Sequence, residues 1–147
     1  MIFDAQNLFS DAQAITASTV STNVIDFGAS GKPVGAAAAI RKDIGRGKKV
    51  NVRVQMVEAA LAAGAATLTV DLQTDDNEVF SSPRVAWTSG AIPKASLIAG
   101  YVFSLEAFPR GTDERFARLN FTVANGPLTA GKITAGVVAA TEDNNYD

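Results

Sequence analysis

The run Arg115-Phe116-Ala117-Arg118-Leu119-Asn120-Phe121-Thr122-Val123 constrains the fold more than any other stretch of the chain. Ala117, Leu119, Phe121 and Val123 share one parity, and Phe116, Arg118, Asn120 and Thr122 share the other. A strand projects alternate side chains to opposite faces, so this run makes one apolar face and one mostly polar face. Wound into a helix, the same residues scatter around the axis and leave no dry stripe. The run is therefore expected to be a strand packed on a core. Gly111-Thr112-Asp113-Glu114 before it and Ala124-Asn125-Gly126-Pro127 after it supply turn chemistry.

The same alternation recurs along the chain. Val50, Val52, Val54 and Met56 oppose Asn51, Arg53 and Gln55. Leu68, Val70 and Leu72 oppose Thr67, Thr69, Asp71 and Gln73, and Tyr101, Phe103 and Leu105 oppose Val102, Ser104 and Glu106. Residues 14–26 read as one or two short strands broken at Ala17-Ser18 or Ser21-Thr22-Asn23 and anchored by Val24, Ile25 and Phe27. Val79-Phe80 and Arg84-Val85-Ala86-Trp87 read as short strands around Ser82-Pro83, which suits an edge or a bend. Residues 94–98 and 133–139 complete the set. Residues 58–63 read as a loop or one helical turn, and Thr74-Asp75-Asp76-Asn77 as a turn. About eight strands with turn signals between them predict an all-β fold, an antiparallel β-sandwich of jelly-roll type.

A length of 147 residues fits one domain over residues 1–147. Such a chain buries roughly 70% of its unfolded surface, enough for a core without staples. Three segments stand outside the strand pattern: an N-terminal arm (residues 1–13), a long Gly-, Ala- and Lys-rich loop (28–49) and an acidic tail (141–147) with the composition of a disordered segment. The arm carries Phe3, Leu8 and Phe9 with no clear period, and it either folds over its own core or reaches a partner.

Composition removes several function classes. With no cysteine there are no disulfides, thiolate metal sites or cysteine nucleophiles, and with no histidine a Ser-His-Asp triad cannot be built. The expectation is a protein that is not an enzyme and needs no cofactor or metal. A net charge of −2 gives no general reason to expect nucleic acid. No apolar run is long enough to span a bilayer, and the first residues have no basic n-region or apolar h-region of a signal peptide. Synthesis in the cytoplasm is the expectation, with no membrane and no small-molecule substrate implied.

Four groups invite a chemical reading. Gly28-Ala29-Ser30-Gly31-Lys32-Pro33 resembles part of a phosphate loop, but its glycines are too close and Pro33 replaces the magnesium-binding hydroxyl. Asp71, Asp75, Asp76, Asn77 and Glu78 lack the spacing and glycine of a calcium loop and read as a hairpin turn. Asp113 and Glu114, adjacent and beside Arg110 and Arg115, read as surface ion pairs; a carboxylate-based glycosidase or lyase is the rival. Trp87, Tyr101 and Phe80 read as core packing, with a carbohydrate-binding adhesin surface as the rival. The strongest charge feature is Arg41, Lys42, Arg46, Lys48 and Lys49, with Asp43 as the one acid among them. It is either a solvated loop or a contact for an acidic partner surface.

Leu8-Phe9-Ser10-Asp11-Ala12-Gln13-Ala14 and Ser21-Thr22-Asn23-Val24-Ile25-Asp26 resemble the opening of the capsid cement proteins of Bordetella-type tailed bacteriophages. Asp43-Ile44-Gly45-Arg46-Gly47 falls at that family's Gly-rich turn before a strand, and Leu68-Thr69-Val70-Asp71-Leu72-Gln73-Thr74 is similar to its central strand. Arg118-Leu119-Asn120-Phe121-Thr122-Val123 with Gly126-Pro127-Leu128-Thr129-Ala130-Gly131 is similar to its C-terminal signature. The order and spacing of these pieces carry the likeness over nearly the whole chain. The resemblance implies a jelly-roll decoration protein that binds as a homodimer to the outside of the capsid and bridges neighbouring major capsid subunits. Around Gly31 to Ile40 the chain is longer than the family pattern. Contact with the shell is expected from Phe3, Leu8 and Phe9 in the arm and from Arg41, Lys42, Arg46, Lys48 and Lys49 in the loop.

Overall fold

The computed structural model describes residues 2–139, and the acidic tail of residues 141–147 lies outside them. The described chain folds into two antiparallel sheets. The first has the order β1 (Phe3–Ala14), β9 (Ala130–Val138), β4 (Val52–Leu61). The second is built on β5 (Thr67–Asp75) and β8 (Phe116–Ala124). Two short strands, β2 (Thr19–Val20) and β3 (Ile25–Asp26), pair in succession along the outer edge of β8. On the other side of β5 lie β6 (Arg84–Thr88) and β7 (Ile92–Pro93). The architecture is a β-sandwich.

The inner faces follow the parity of the sequence. Val52, Val54 and Met56 on β4 and Ile133 and Ala135 on β9 come from one sheet. Leu68, Val70 and Leu72 on β5 and Ala117, Leu119 and Phe121 on β8 come from the other. All are within about 1% of complete burial and join one hydrophobic cluster. Each large member contributes about 1.5–3 kcal/mol by leaving water.

Several segments depart from expectation. The presumed N-terminal arm is a twelve-residue strand, β1, on the edge of the first sheet. Its register shifts between Phe3 and Leu8, Leu8 and Ser10, and Ser10 and Gln13. Each shift restarts the two-residue period, which is why Leu8 and Phe9 show no clean alternation. Residues 58–61 continue β4 instead of turning into a loop or helix, because pairing of Glu58 with Lys132 and Leu61 with Ala130 outweighs local helix propensity. Thr74 and Asp75 end β5, so the turn starts one residue beyond them. Residues 94–98 form a 3-10 turn (Lys94–Ser96), not a strand.

The segment 101–107 has the expected inner face, with Phe103 and Leu105 buried. It makes isolated bridges, Asn51 to Ala107 and Gln55 to Val102, rather than a regular ladder. It runs along the free side of β4, where Met56 N–H donates to Tyr101 O at 2.9 Å and Phe103 N–H to Val54 O at 3.0 Å.

Val79-Phe80 is not a strand either. Phe80 has φ of 52° in the β5–β6 hairpin loop and is buried on the outer face of the second sheet. The Arg118 guanidinium lies 4.1 Å from its ring centroid, and Arg118 Nε donates to Gln73 Oε1 at 2.9 Å. Burial holds the Arg118 pKa below its usual value, opposed by the Asp75 carboxylate. Asp75 closes this loop by accepting from Asn77 N–H and Ser82 N–H, both at 2.8 Å. The expected hairpin turn around Asp75 and Asn77 is present. Among the described residues no group of three or more acidic side chains is arranged to hold a metal.

Gly136 sits opposite Leu8 in the β1–β9 ladder. A Cβ there would stand 2.7 Å from Leu8 Cδ2 and 2.9 Å from Asn7 O. Gly136→Ala is expected to push β1 off β9 and lower unfolding stability by about 1–3 kcal/mol in urea titration. Gly31→Ala, which meets no atom within 4 Å, is expected to leave stability within about 0.5 kcal/mol.

Candidate partner-binding surface

The long loop of residues 28–49 lies over one end of the sandwich, between β3 and β4. It contains turns and bends but no helix or strand. Its order comes from one acidic residue. Asp43 Oδ1 accepts from Gly45 N–H at 3.0 Å, and its two oxygens accept from Gly111 N–H at 3.2 and 3.1 Å. Ile44 N–H donates to Thr112 O at 2.9 Å, and the Ile44 side chain packs on the core. Gly45 lies against the backbone of the next turn: an added Cβ would be 2.0 Å from Pro109 O. The loop is thereby pinned to the turn before β8.

This pinning turns the basic side chains outward. Arg41 and Arg46 keep 91% and 79% of their side-chain surface exposed, with ion-pair contacts to Asp113 at 3.6 Å and Asp43 at 3.4 Å. Lys48 and Lys49 are exposed. Lys42 behaves differently: it is half-buried, and its Nζ donates to Gly28 O at 3.4 Å, so it braces the loop. Arg41, Asp43, Arg46, Arg110, Gly111 and Asp113 line an open cleft. This lining is polar and cationic on balance, suited to carboxylate groups of another macromolecule.

The arm residues are spread over different environments. Phe9 is completely buried, with its ring 6.3 Å from Phe108 in an edge-on arrangement. It is a core residue in this fold, and the expected surface contact from it is withdrawn because the bulged β1 turns it inward. Phe3 and Leu8 are half-buried. Phe3 pairs with Val138, whose N–H donates to Asn51 O at 3.0 Å, so Phe3 sits at the same end as Lys48 and Lys49.

The ion pairs differ in partner from those expected. Asp113 binds Arg84 Nη2 at 2.7 Å, and Arg84 Nε stands 3.6 Å from Glu114 Oε2. Arg84 comes from β6, and its position beside Asp113 has no signal in the sequence. Burial raises the Asp113 pKa, but its own backbone N–H and the charges of Arg84 and Arg41 outweigh this and hold it below the ordinary value. Arg115 instead forks onto Asp26, with Nε to Oδ1 at 2.9 Å and Nη2 to Oδ2 at 2.7 Å. Arg84 thus hydrogen-bonds Asp113 and stands within ion-pair range of Glu114, whose Oε2 is buried without a hydrogen-bond partner. Trp87 pairs with Leu72 on the inner face of the second sheet, Tyr101 packs on the core, and Phe80 lies under Arg118 on the outer face. The three aromatics form no common platform.

The model of the Bbp16 family matches residues 9–137. The chain belongs to the Bbp16 family. The family name points to a Bordetella phage protein. The match runs from within β1 to within β9, so the Bbp16 pattern takes in both sheets, the pinned loop and the cationic cleft. No curated protein sequence matches the chain. In this Bbp16-family chain Asp43-Ile44-Gly45 is an architectural lock, and the cationic side chains around it are what remains available to a partner.

The Asp26–Arg115 pair gives a pH test of this end of the molecule. The Arg115 fork and the Gly28 N–H lower the Asp26 pKa from 3.8 to about 2. A carboxylate with a depressed folded pKa stabilises the fold above its unfolded pKa, and the contribution is lost as pH falls toward the folded value. Unfolding stability is therefore expected to decline from pH 4 to pH 2, and Asp26→Asn is expected to flatten that limb while weakening the protein at pH 7. Asp43→Ala is expected to cost about 2 kcal/mol through its lost charged hydrogen bonds. It should also speed hydrogen exchange at the Gly45 and Gly111 amides.

Proposed function

We propose that the chain is a virion structural protein, a capsid cement that binds the outer surface of the assembled phage shell. In this reading it acts as a homodimer and bridges neighbouring major capsid subunits. The observation that carries the reading is the loop of residues 28–49. It projects cations from a rigid sandwich and is pinned at Asp43 and Gly45, in a chain whose family is a phage family. Arg41, Arg46, Lys48 and Lys49 are the contact residues for acidic groups on the major capsid protein, and Phe3 and Leu8 supply apolar contact beside them.

The physics favours such a role. A packed genome strains every junction between capsid subunits. A protein that binds only the assembled arrangement stabilises it by linkage, without catalysis or a cofactor. A dimer engaging two sites gains avidity as well. Pre-ordering of the loop by Asp43 lowers the entropy cost of docking.

The test is to mix purified protein with matching undecorated capsids and image them. Binding at regular positions and a higher temperature of shell rupture are expected; neither would be seen if the reading were wrong. Charge reversal at Arg41, Arg46, Lys48 and Lys49 together is expected to weaken binding on the order of 10- to 100-fold and to flatten its salt dependence.

A further inference from the structure

Inside the pinned loop lies Pro33-Val34-Gly35-Ala36-Ala37-Ala38-Ala39-Ile40, eight consecutive residues without a charged or hydrogen-bonding side chain. All but Ala36 are exposed, with Val34 at 106% and Ile40 at 59% of full accessibility. A flexible surface linker is rich in glycine, serine or charge. This stretch carries instead the composition of a buried segment, on the outside of the molecule.

The stretch is also held in place. Ile40 N–H donates to Gly31 O at 2.9 Å and Ala36 N–H to Pro33 O at 3.1 Å, which closes the tip on itself. Below the tip, Lys42 Nζ reaches Gly28 O, and Gly28 N–H donates to Asp26 Oδ1 at 2.7 Å. The result is a closed apolar finger standing on a braced base. Cations bracket it: Lys32 on one side and Arg41 on the other.

Charge decides what covers it. The chain has an apolar groove of its own, lined by Ala59, Leu61, Ala62, Ala95 and Ile98. That groove lies at the far end of β4, about 30 Å from the loop at the rise of a strand, and Lys94 lines it as well. Seating the finger of one copy in the groove of another would set Lys94 against Lys32 and Arg41, a like-charge contact that opposes association. The complementary surface is an apolar depression with an acidic rim.

We propose that residues 33–40 are a docking finger that enters an apolar depression rimmed by Asp and Glu side chains on the major capsid protein. Val34 and Ile40 fill the depression, and Lys32 and Arg41 meet the rim. This rests on the capsid-cement reading and deepens it.

The experiment uses the full chain and undecorated capsids. Val34→Ser with Ile40→Ser is expected to weaken binding roughly 100-fold, since two apolar side chains lose their burial. Its salt dependence should match that of the unaltered protein, and so should its thermal unfolding, because both positions are exposed. Because the chain has no cysteine, Ala37→Cys accepts a single environment-sensitive fluorophore, whose emission should shift to the blue when capsids are added. If the double variant binds like the unaltered protein while the latter decorates capsids, the finger is overturned and the cement reading stands. If the unaltered protein does not bind capsids, both fall. A blue shift that grows with protein concentration in the absence of capsids would place the finger in a second copy and overturn the proposal.

Discussion

The contact between Gly45 and the Pro109–Arg110 peptide is the constraint on which the partner-facing end depends. Two backbones meet there with no side chain between them, since an added Cβ would fall 2.0 Å from Pro109 O. Only glycine permits that approach. The contact lets Asp43 reach the Gly111 N–H and lets Ile44 reach the core. It also brings Thr112 under cover, where its hydroxyl donates to Pro109 O at 2.7 Å and its carbonyl accepts from Ile44 N–H. A free loop of this length would be entropically costly to order on binding. Fixed near its C-terminal third, it becomes two short segments, and each basic side chain projects from a known position.

The ion pairs at this end orient more than they stabilise. Arg84, Arg41, Asp113 and Glu114 form a partly exposed network, and Arg115 with Asp26 forms a separate fork. Exposed pairs of this kind are each worth little. Their geometry nonetheless joins β6 to the turn before β8, and β3 to the start of β8. The two edges of the second sheet are therefore tied to the same corner that holds the loop. The Arg118–Phe80 stack does similar work on the outer face, where a buried phenyl ring replaces the solvent that parity alone would place there.

The core was legible wherever strands keep a strict two-residue period. Val52, Val54 and Met56, then Leu68, Val70 and Leu72, then Ala117, Leu119 and Phe121 all face inward as their alternation requires. Legibility failed where pairing is irregular. In β1 the register shifts put Phe9 in the core and leave Leu8 half-buried over Gly136, so adjacent apolar residues serve two faces and look like an unpatterned arm. Along residues 101–107 the inward face was readable but the broken ladder was not, because side-chain parity carries no information on backbone pairing. At the surface the basic cluster was visible as a run in sequence. The bracing role of Lys42 and the placement of Arg84 beside Asp113 were not, since both depend on chain segments brought together from a distance.

The remaining conflict between sequence and fold is the apolar tip of the loop. Alternation hides most large apolar residues and the polar outer face covers Phe80, while others, among them Leu61, Val79, Val85 and Ile98, are exposed on other elements. The tip differs in that Val34, the most exposed of all at 106%, and Ile40 break the alternation together, on a braced run of eight residues with no polar side chain. Such breaks concentrate at functional sites, because a residue that costs solubility in the free protein persists where it contributes to a complex. The braces make the same point independently. A loop with no partner gains nothing from a fixed shape, whereas one that must fit a depression loses affinity for every conformer it samples outside the bound one.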